Sequence, residues 1–182
     1  GRVTGPIVID GFAGGGGASL GIKWALGVEP VVAFNHCAHA IETYGNNHPG
    51  VELYQAEAAD VSPLEAARGR RIDLGWFSPD CTDHSNAKAG KPRETGKRAL
   101  AWVVIDWARQ VRPRVIMLEN VPEWLGWGPL YPDDHPDPKK RSRRIPERAG
   151  EHFREWLVAL EAEGYRVEWR ILVAADRGVP TS

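Results

Sequence analysis

The sequence has little cysteine and no long apolar run. Two cysteines, Cys37 and Cys81, occur in 182 residues, too few for a disulfide framework or for a zinc site with four thiolate ligands. No apolar stretch approaches the length that spans a bilayer, and the first residues lack the pattern of a secretion signal. We therefore expect no membrane-spanning helix and a reducing, cytoplasmic setting.

The sequence also lacks an excess of charge of either sign. The formal net charge is −1, from 23 basic and 24 acidic residues. This balance does not indicate a nucleic-acid-binding protein, but it does not exclude one, because binding depends on local patches of charge. A hydrophobic content of 42% and a charged content of 26% are typical of a globular domain.

Short apolar runs alternate with helical patterns along the chain, which predicts an α/β fold with a mostly parallel sheet. The predicted strands are residues 7–9, 31–34, 51–54, 72–77, 115–118 and 165–174. The predicted helices are residues 18–26, 38–44, 100–111 and 153–163. Segment 131–146, rich in Pro, Asp, Lys and Arg, is predicted to be a long loop. The fully apolar run at 115–118 is typical of a strand that helices cover on both faces.

A glycine-rich segment, DGFAGGGG at residues 10–17, follows the first predicted strand and opens a helix. Glycines at the carboxyl end of a strand let the backbone approach a nucleotide-like ligand. The dinucleotide fingerprint is not met, and Asn35 and His36 stand where an acidic residue would hold a ribose. The segment predicts an adenosine-like cofactor without choosing which one, and a merely flexible turn is the alternative.

Cys81 lies on a turn just past the fourth predicted strand, in FSPDCTDHS at residues 77–85. A thiolate at this position could attack an electrophilic carbon if a base or a positive charge assists it. An inert structural cysteine is the simpler interpretation. The third interpretation is a metal site that Cys81 forms with Asp83 and His84, although the spacing fits no tetrahedral zinc pattern.

Glu119 follows the fifth, fully apolar predicted strand, in LENVP at residues 118–122. An ionised carboxylate is costly to bury, so a buried Glu119 would be held protonated and could serve as a proton donor. The alternative is a solvated carboxylate on a turn.

Taken together, these segments resemble the DNA cytosine-5 methyltransferase family. IDGFAGGGG at residues 9–17 resembles the family's first cofactor motif, Asp-Leu-Phe-Ala-Gly-x-Gly-Gly, and SPDC at 78–81 resembles its Pro-Pro-Cys nucleophile loop. ENV at 119–121 is the family's Glu-Asn-Val motif unchanged, and AADRGVP at 174–180 resembles the lead-in to its arginine-bearing eighth motif. The resemblance implies a Rossmann-like fold that depends on S-adenosylmethionine.

The resemblance also implies a mechanism. Cys81 would add to C6 of a cytosine flipped out of double-stranded DNA, Glu119 would hold or protonate N3, and Asn120 would position Glu119 or its loop. Carbon 5 would then take the methyl group from S-adenosylmethionine. The residues that match the family's cofactor positions are Asp10, Phe12, Ala13, Gly14, Gly16, Asn35, His36, Asp60 and Pro79. Glu57 is a rival to Asp60 for the contact with the adenine amino group.

Three positions depart from the family pattern. Asp80 stands in place of the second proline, and Thr82 in place of a frequent glutamine, which changes the surroundings of Cys81. Asn35 replaces the glutamate that usually meets the cofactor ribose. The resulting neutral hydrogen bond is weaker by about 1 kcal/mol than a charge-assisted one.

Two basic segments are candidates for DNA contact. The segment after Cys81 resembles the mobile loop that closes over flipped DNA, and phosphate contacts are expected from Ser85, Lys88, Lys91 and Arg93. The cluster KKRSRR at 139–144 is either a solvated face or a second phosphate contact. No metal site is predicted.

We expect residues 1–182 to form a catalytic and cofactor-binding domain that is incomplete. No segment matches the family's target-recognition domain or its ninth and tenth motifs, so these would come from a further segment or a second chain. A bacterial or phage-encoded protein is expected. Two rival functions remain. One is a non-catalytic protein with the same S-adenosylmethionine-binding fold and a DNA-binding or regulatory role, and the other is an NAD-linked oxidoreductase.

Overall fold

The computed structural model describes residues 5–79 and 100–178, and its centre is a five-stranded parallel sheet. The strands are β1 (Val8–Gly11), β2 (Val32–Asn35), β3 (Glu52–Gln55), β4 (Leu74–Phe77) and β5 (Val115–Leu118). Their order in the sheet is β3-β2-β1-β4-β5, and every neighbouring pair is parallel. The helices are α1 (Gly17–Leu26), α2 (Ala38–Asn47), α3 (Pro63–Ala67), α4 (Leu100–Gln110) and α5 (Glu151–Ala162).

Helices cover both faces of the sheet, which confirms the predicted fold class. On one face, the ring of Trp107 in α4 stacks on Phe34 with 5.7 Å between centroids and lies 5.8 Å from the ring of Phe77, and α5 packs against α4. On the other face, Ile22 of α1 packs against β1 and β4, and α2 covers β2. None of the helices in residues 5–79 and 100–178 is long and apolar enough to cross a membrane.

The strand order places a crevice at the carboxyl ends of β1 and β4. The chain runs outward from β1 through β2 to β3 and then returns to the other side of β1 as β4. In open α/β sheets, ligands bind where the strand order reverses in this way. The Asp73 carboxylate helps to align the returning strand, because it accepts a hydrogen bond from the backbone of Ile7 at 2.9 Å.

The strand predicted at 165–174 does not form. The segment begins with Tyr165, whose hydroxyl donates to the Pro113 carbonyl at 2.6 Å, but it joins no sheet. Farther along, Trp169 is 59% exposed and Leu172 60%. An apolar, β-branched pattern favours a strand only when a neighbouring strand is available to pair with its backbone.

Among the described residues, helices cover only one face of β5. Val115 and Met117 point to one face and are 47% and 49% exposed, whereas Ile116 and Leu118 face the core. β5 ends the described strand order, so no strand among the described residues pairs with its outer edge. This half-covered edge strand leaves an apolar surface next to the end of the sheet that carries the candidate site.

Candidate cofactor and catalytic site

The glycine-rich turn, residues 12–16, joins β1 to α1, and side chains from β2 and from the end of α2 hold it in one shape. The amide of Asn35 donates to the Ala13 carbonyl at 2.8 Å, and the amide of Asn47 donates to the Gly15 carbonyl at 2.7 Å. A ring nitrogen of His48 lies 2.9 Å from the Gly16 carbonyl oxygen. Successive carbonyls are therefore fixed from outside the turn.

Two backbone positions give the turn its path. Gly11 must be glycine, because a Cβ there would overlap the rings of Phe77 and Phe34. Phe12 has a φ of 62°, in the left-handed region that bulky residues rarely adopt. This conformation directs the Phe12 ring toward Phe34, with 5.8 Å between the ring centroids.

A pocket opens at the carboxyl ends of β1, β2 and β3. It is lined by Phe12, Phe34, Asn35, His36, Glu57, Ala58 and Leu100. The predicted cofactor residues Phe12, Asn35 and His36 therefore meet at one place. Glu57 lines the pocket as well, whereas Asp60, exposed at the end of the 3₁₀ turn Ala58–Asp60, does not. Aromatic walls with a carboxylate and an amide suit an adenosine group.

Asn35 has a structural role that the sequence does not reveal. Its amide nitrogen donates to Ala13, and its side-chain oxygen accepts from the backbone of Cys37 at 2.8 Å. Both ends of the side chain therefore fasten the turn to the start of α2. Leu100 is a pocket residue that sequence reasoning missed, since it belongs in sequence to α4 and reaches the pocket only through the fold.

Asp10 lies beneath the glycine-rich turn and does not line the pocket. It is 1% exposed, and its carboxylate accepts a hydrogen bond from Ser19 at 2.5 Å, which in turn lies 2.5 Å from the Tyr44 hydroxyl. Burial raises the pKa of Asp10 to about 6, although the Ser19 hydrogen bond and the charge of His48 lower it. Ala13 and Gly16 are likewise buried, while Gly14 is exposed on the outer side of the turn.

The ends of β4 and β5 meet the same edge of the sheet. The backbone of Ser78 donates to the Gly11 carbonyl at 3.3 Å, and the Asn120 amide donates to the carbonyl of buried Pro79 at 3.2 Å. The backbone of Glu119 donates to the Phe77 carbonyl at 2.9 Å. The Glu119 side chain is exposed, so of the two expectations for this residue the structure has the one on a solvated turn.

The remaining predicted site residues cannot be compared with this geometry. Cys81, Ser85, Lys88, Lys91 and Arg93 lie outside the described residues. So do the two atypical neighbours of Cys81, Asp80 and Thr82. Among the described residues, no group of three or more His, Cys, Asp or Glu side chains is arranged to hold a metal ion.

Comparisons with known proteins agree with this arrangement. Residues 7–127 match the family described as C-5 cytosine-specific DNA methylase. The type II methyltransferase M.Sau3AI of Staphylococcus aureus is 28% identical over 94% of this chain and 40% of its own length. M.NgoMIV of Neisseria gonorrhoeae is 32% identical over 92% of this chain and 46% of its own length. The chain thus spans about two fifths of the length of these relatives.

A solved structure shares the fold. An E. coli prophage protein described as a DNA modification methyltransferase aligns with a TM-score of 0.58 at 18% identity. The alignment covers 86% of this chain and 38% of the other.

Proposed function

Because the chain belongs to the C-5 cytosine-specific DNA methylase family, we propose that it forms the catalytic and cofactor-binding domain of an enzyme that methylates carbon 5 of cytosine in DNA. The observation that carries the proposal is the meeting of three loops at one edge of the sheet. Ser78 is hydrogen-bonded to Gly11, and Asn120 to Pro79, which joins the loops after β1, β4 and β5. The relatives' names favour a role in a bacterial restriction-modification system.

The cofactor of this family is S-adenosylmethionine, which supplies an electrophilic methyl group when bound. The pocket suits its adenosine part, because Phe12 offers an aromatic face, His36 a ring near the ribose position, and Glu57 a carboxylate for the amino group. Asp60 remains the alternative to Glu57. Asp10, Ala13, Gly14 and Gly16 shape the turn, and Pro79 leads from β4 toward the nucleophile.

In the proposed mechanism, Cys81 and Glu119 act on a cytosine flipped out of double-stranded DNA. The Cys81 thiolate adds to C6 while Glu119 donates a proton to N3, which makes C5 nucleophilic. C5 would then take the methyl group, a base would remove the C5 proton, and expulsion of the Cys81 thiolate, with return of the N3 proton to Glu119, would restore the C5–C6 double bond. A base stacked over Glu119 would exclude water and favour the acid form that can donate.

Asn120 is proposed as a positioning residue. Its hydrogen bond to Pro79 ties the loop of Glu119 to the backbone two residues before Cys81. Its side-chain oxygen accepts from the backbone of Val121 at 2.9 Å, which fixes the amide's orientation. The Glu119 carboxyl group and the Cys81 thiolate would then keep a constant separation, which is required when both act on the same cytosine.

DNA is the proposed partner, and a basic loop supports that choice. The basic loop is the segment 139–144, KKRSRR. Its base is closed by backbone hydrogen bonds, from Tyr131 to the Arg143 carbonyl at 2.8 Å and from Ser142 to the Tyr131 carbonyl at 3.2 Å. No carboxylate among the described residues forms an ion pair with its five cations. Cations without a carboxylate partner among the described residues are suited to phosphate contacts.

Additional polypeptide is proposed to complete the enzyme, from a further segment or a second chain. The exposed apolar face of Val115 and Met117 supports this proposal, since an α/β sheet is normally covered on both faces. The chain also spans only about two fifths of its relatives' length. The selection of a target sequence would belong to that additional part.

The test is covalent trapping on DNA that contains 5-fluorocytosine. Protein expressed from its complete reading frame is incubated with this DNA and S-adenosylmethionine, and adducts are separated on a denaturing gel. Fluorine at C5 cannot leave as a proton does, so the Cys81–C6 bond should persist. We expect an adduct that Cys81→Ala abolishes and that Cys37→Ala, at the chain's other and exposed cysteine, leaves unchanged.

Two results would overturn the assignment. An equal adduct in Cys81→Ala would remove Cys81 from the mechanism. S-adenosylmethionine binding without any adduct in the parent protein would instead select the non-catalytic DNA-binding or regulatory function.

A further inference from the structure

His48 follows α2 directly and is almost fully buried, with 4% of its side chain exposed. Its Nε2 lies 2.9 Å from the Gly16 carbonyl oxygen, and its Nδ1 lies 2.8 Å from a carboxylate oxygen of Glu29. Neither a carbonyl oxygen nor an ionised carboxylate has a proton to donate, so both ring nitrogens must do so. A neutral ring would leave one of these two contacts without a proton.

We infer that His48 is a buried imidazolium cation that clamps the glycine-rich turn, with Glu29 as its counter-ion. His48 is thus a positioning residue, and the inference rests on the proposed function because it takes this turn to hold S-adenosylmethionine. The position of Gly16 fits the inference. Its φ is 96°, and a Cβ there would overlap the His48 ring, so this glycine makes room for the histidine and not for the ligand.

The charges around His48 favour a positive ring. Glu29, in the loop between α1 and β2, is 2.8 Å away, and Asp10 of β1 lies beneath the turn. Among the described residues, the cation that joins this cluster is Lys23 of α1, which is itself paired with Glu29 at 2.7 Å. Burial alone would raise the pKa of Glu29, but hydrogen bonds from Lys23 and His48 lower it, so Glu29 is the ionised partner. Tyr44 of α2 packs its ring against His48, with 4.8 Å between centroids.

The clamp acts on the start of α1. The Gly16 carbonyl that His48 holds also accepts the first backbone hydrogen bond of the helix, from Leu20 at 2.9 Å. The neighbouring residue, Asn47, holds Gly15. Loss of the clamp would therefore let the turn and the first helical turn relax, which weakens cofactor binding and leaves the reacting groups on β4 and β5 in place.

The protonation state is tested directly by nitrogen NMR of the His48 ring in the unmodified chain. We expect both nitrogens to carry a proton in the folded chain. In Glu29→Gln the glutamine amide can donate to Nδ1, so the ring becomes neutral, with one unprotonated nitrogen, while the bond from Nε2 to Gly16 is kept. A neutral His48 ring in the unmodified chain would overturn the inference.

The positioning role is tested by calorimetric titration with S-adenosylmethionine at pH 7. His48→Gln should bind about tenfold more weakly than the unmodified chain, the loss expected for one hydrogen bond from a charged donor. Glu29→Gln should keep most of the affinity, because the Gly16 bond survives.

His39→Gln is the matched control, since His39 lies at the start of α2, the helix that His48 follows, with 95% of its side chain exposed. In the completed enzyme, His48→Gln should raise KM for S-adenosylmethionine and leave kcat within about twofold, because uniform binding is lost. Unchanged affinity in His48→Gln would refute the clamp. If the unmodified chain binds no S-adenosylmethionine at all, the proposed function fails, and the NMR result still decides the state of His48.

Discussion

Asp10 is an acid held where its ionisation is unfavourable. Its carboxyl group is 1% exposed, and burial raises its pKa from 3.8 to about 6 against the opposing effects of Ser19 and His48. The folded state thus binds this proton more tightly than the unfolded chain does. Its contribution to stability is full below about pH 4 and is lost as the pH rises through about 6.

Asp10→Asn should remove the loss of stability that the parent protein shows as the pH rises through about 6. The asparagine oxygen can still accept from Ser19, so we expect the free energy of unfolding at pH 8 to rise by up to about 3 kcal/mol. At pH 4, where the parent carboxyl is protonated in the fold, the gain should be well under 1 kcal/mol by the same relation. Urea unfolding at pH 4 and pH 8 measures the change in the free energy of unfolding. The control is Glu161→Gln, because Glu161 is exposed. Equal gains at the two pH values would contradict the buried-acid explanation.

The family resemblance and the residues at the strand ends pointed to Phe12, Asn35 and His36 of the pocket but not to its clamp. Phe12, Asn35 and His36 stand at the ends of predicted strands, where the chemistry of an open α/β sheet is expected. His48 has partners 19 and 32 positions away in sequence, Glu29 and Gly16, so no local pattern reveals them. The one sequence signal is a polar pair, Asn47 and His48, between a helix and Pro49.

The observed ends of helices and strands match the predicted ends where the packing of the side chains agrees with the sequence pattern. β5 occupies the predicted residues 115–118, and α1 begins one residue before its predicted start. α2 continues three residues past Tyr44 to Asn47, although glycine and asparagine disfavour helix. Burial of Tyr44 and the bond from Asn47 to the turn stabilise this extra turn. The unformed strand at 165–174 has the opposite cause, a strand pattern without a pairing partner.

The basic loop leads to a prediction about DNA binding. Lys139→Gln combined with Arg143→Gln should weaken binding to duplexes of any sequence. It should also reduce the slope of log K against log salt by about 2, since each phosphate contact contributes about 1. Fluorescence anisotropy over a salt series measures this change. The control is Arg166→Gln, because Arg166 is exposed but paired with Glu168. An unchanged salt slope would show that the loop is only a solvated face.

For the molecule as a whole, the prediction concerns what the chain does by itself. The purified 182-residue chain should bind S-adenosylmethionine, because the turn, the pocket and the clamp all lie within it. It should methylate no defined DNA sequence, since target selection is assigned to additional polypeptide. Calorimetry measures the first property, and sequencing of methylated sites on mixed duplexes measures the second. Sequence-specific methylation by this chain alone would refute the proposal that additional polypeptide selects the target.

The pairing of β1 with β4 has a consequence for how the protein folds. β1, β2 and β3 are joined by short crossovers, but β4 reaches β1 from 66 residues along the chain, as the bond between Ile7 and Asp73 records. Closing that long loop is slow, because its entropy is lost before the contacts form. The crevice between β1 and β4 is therefore completed late in folding. Because the proposed nucleophile follows β4, activity should return during refolding only with this last step, after the pairing of β1, β2 and β3.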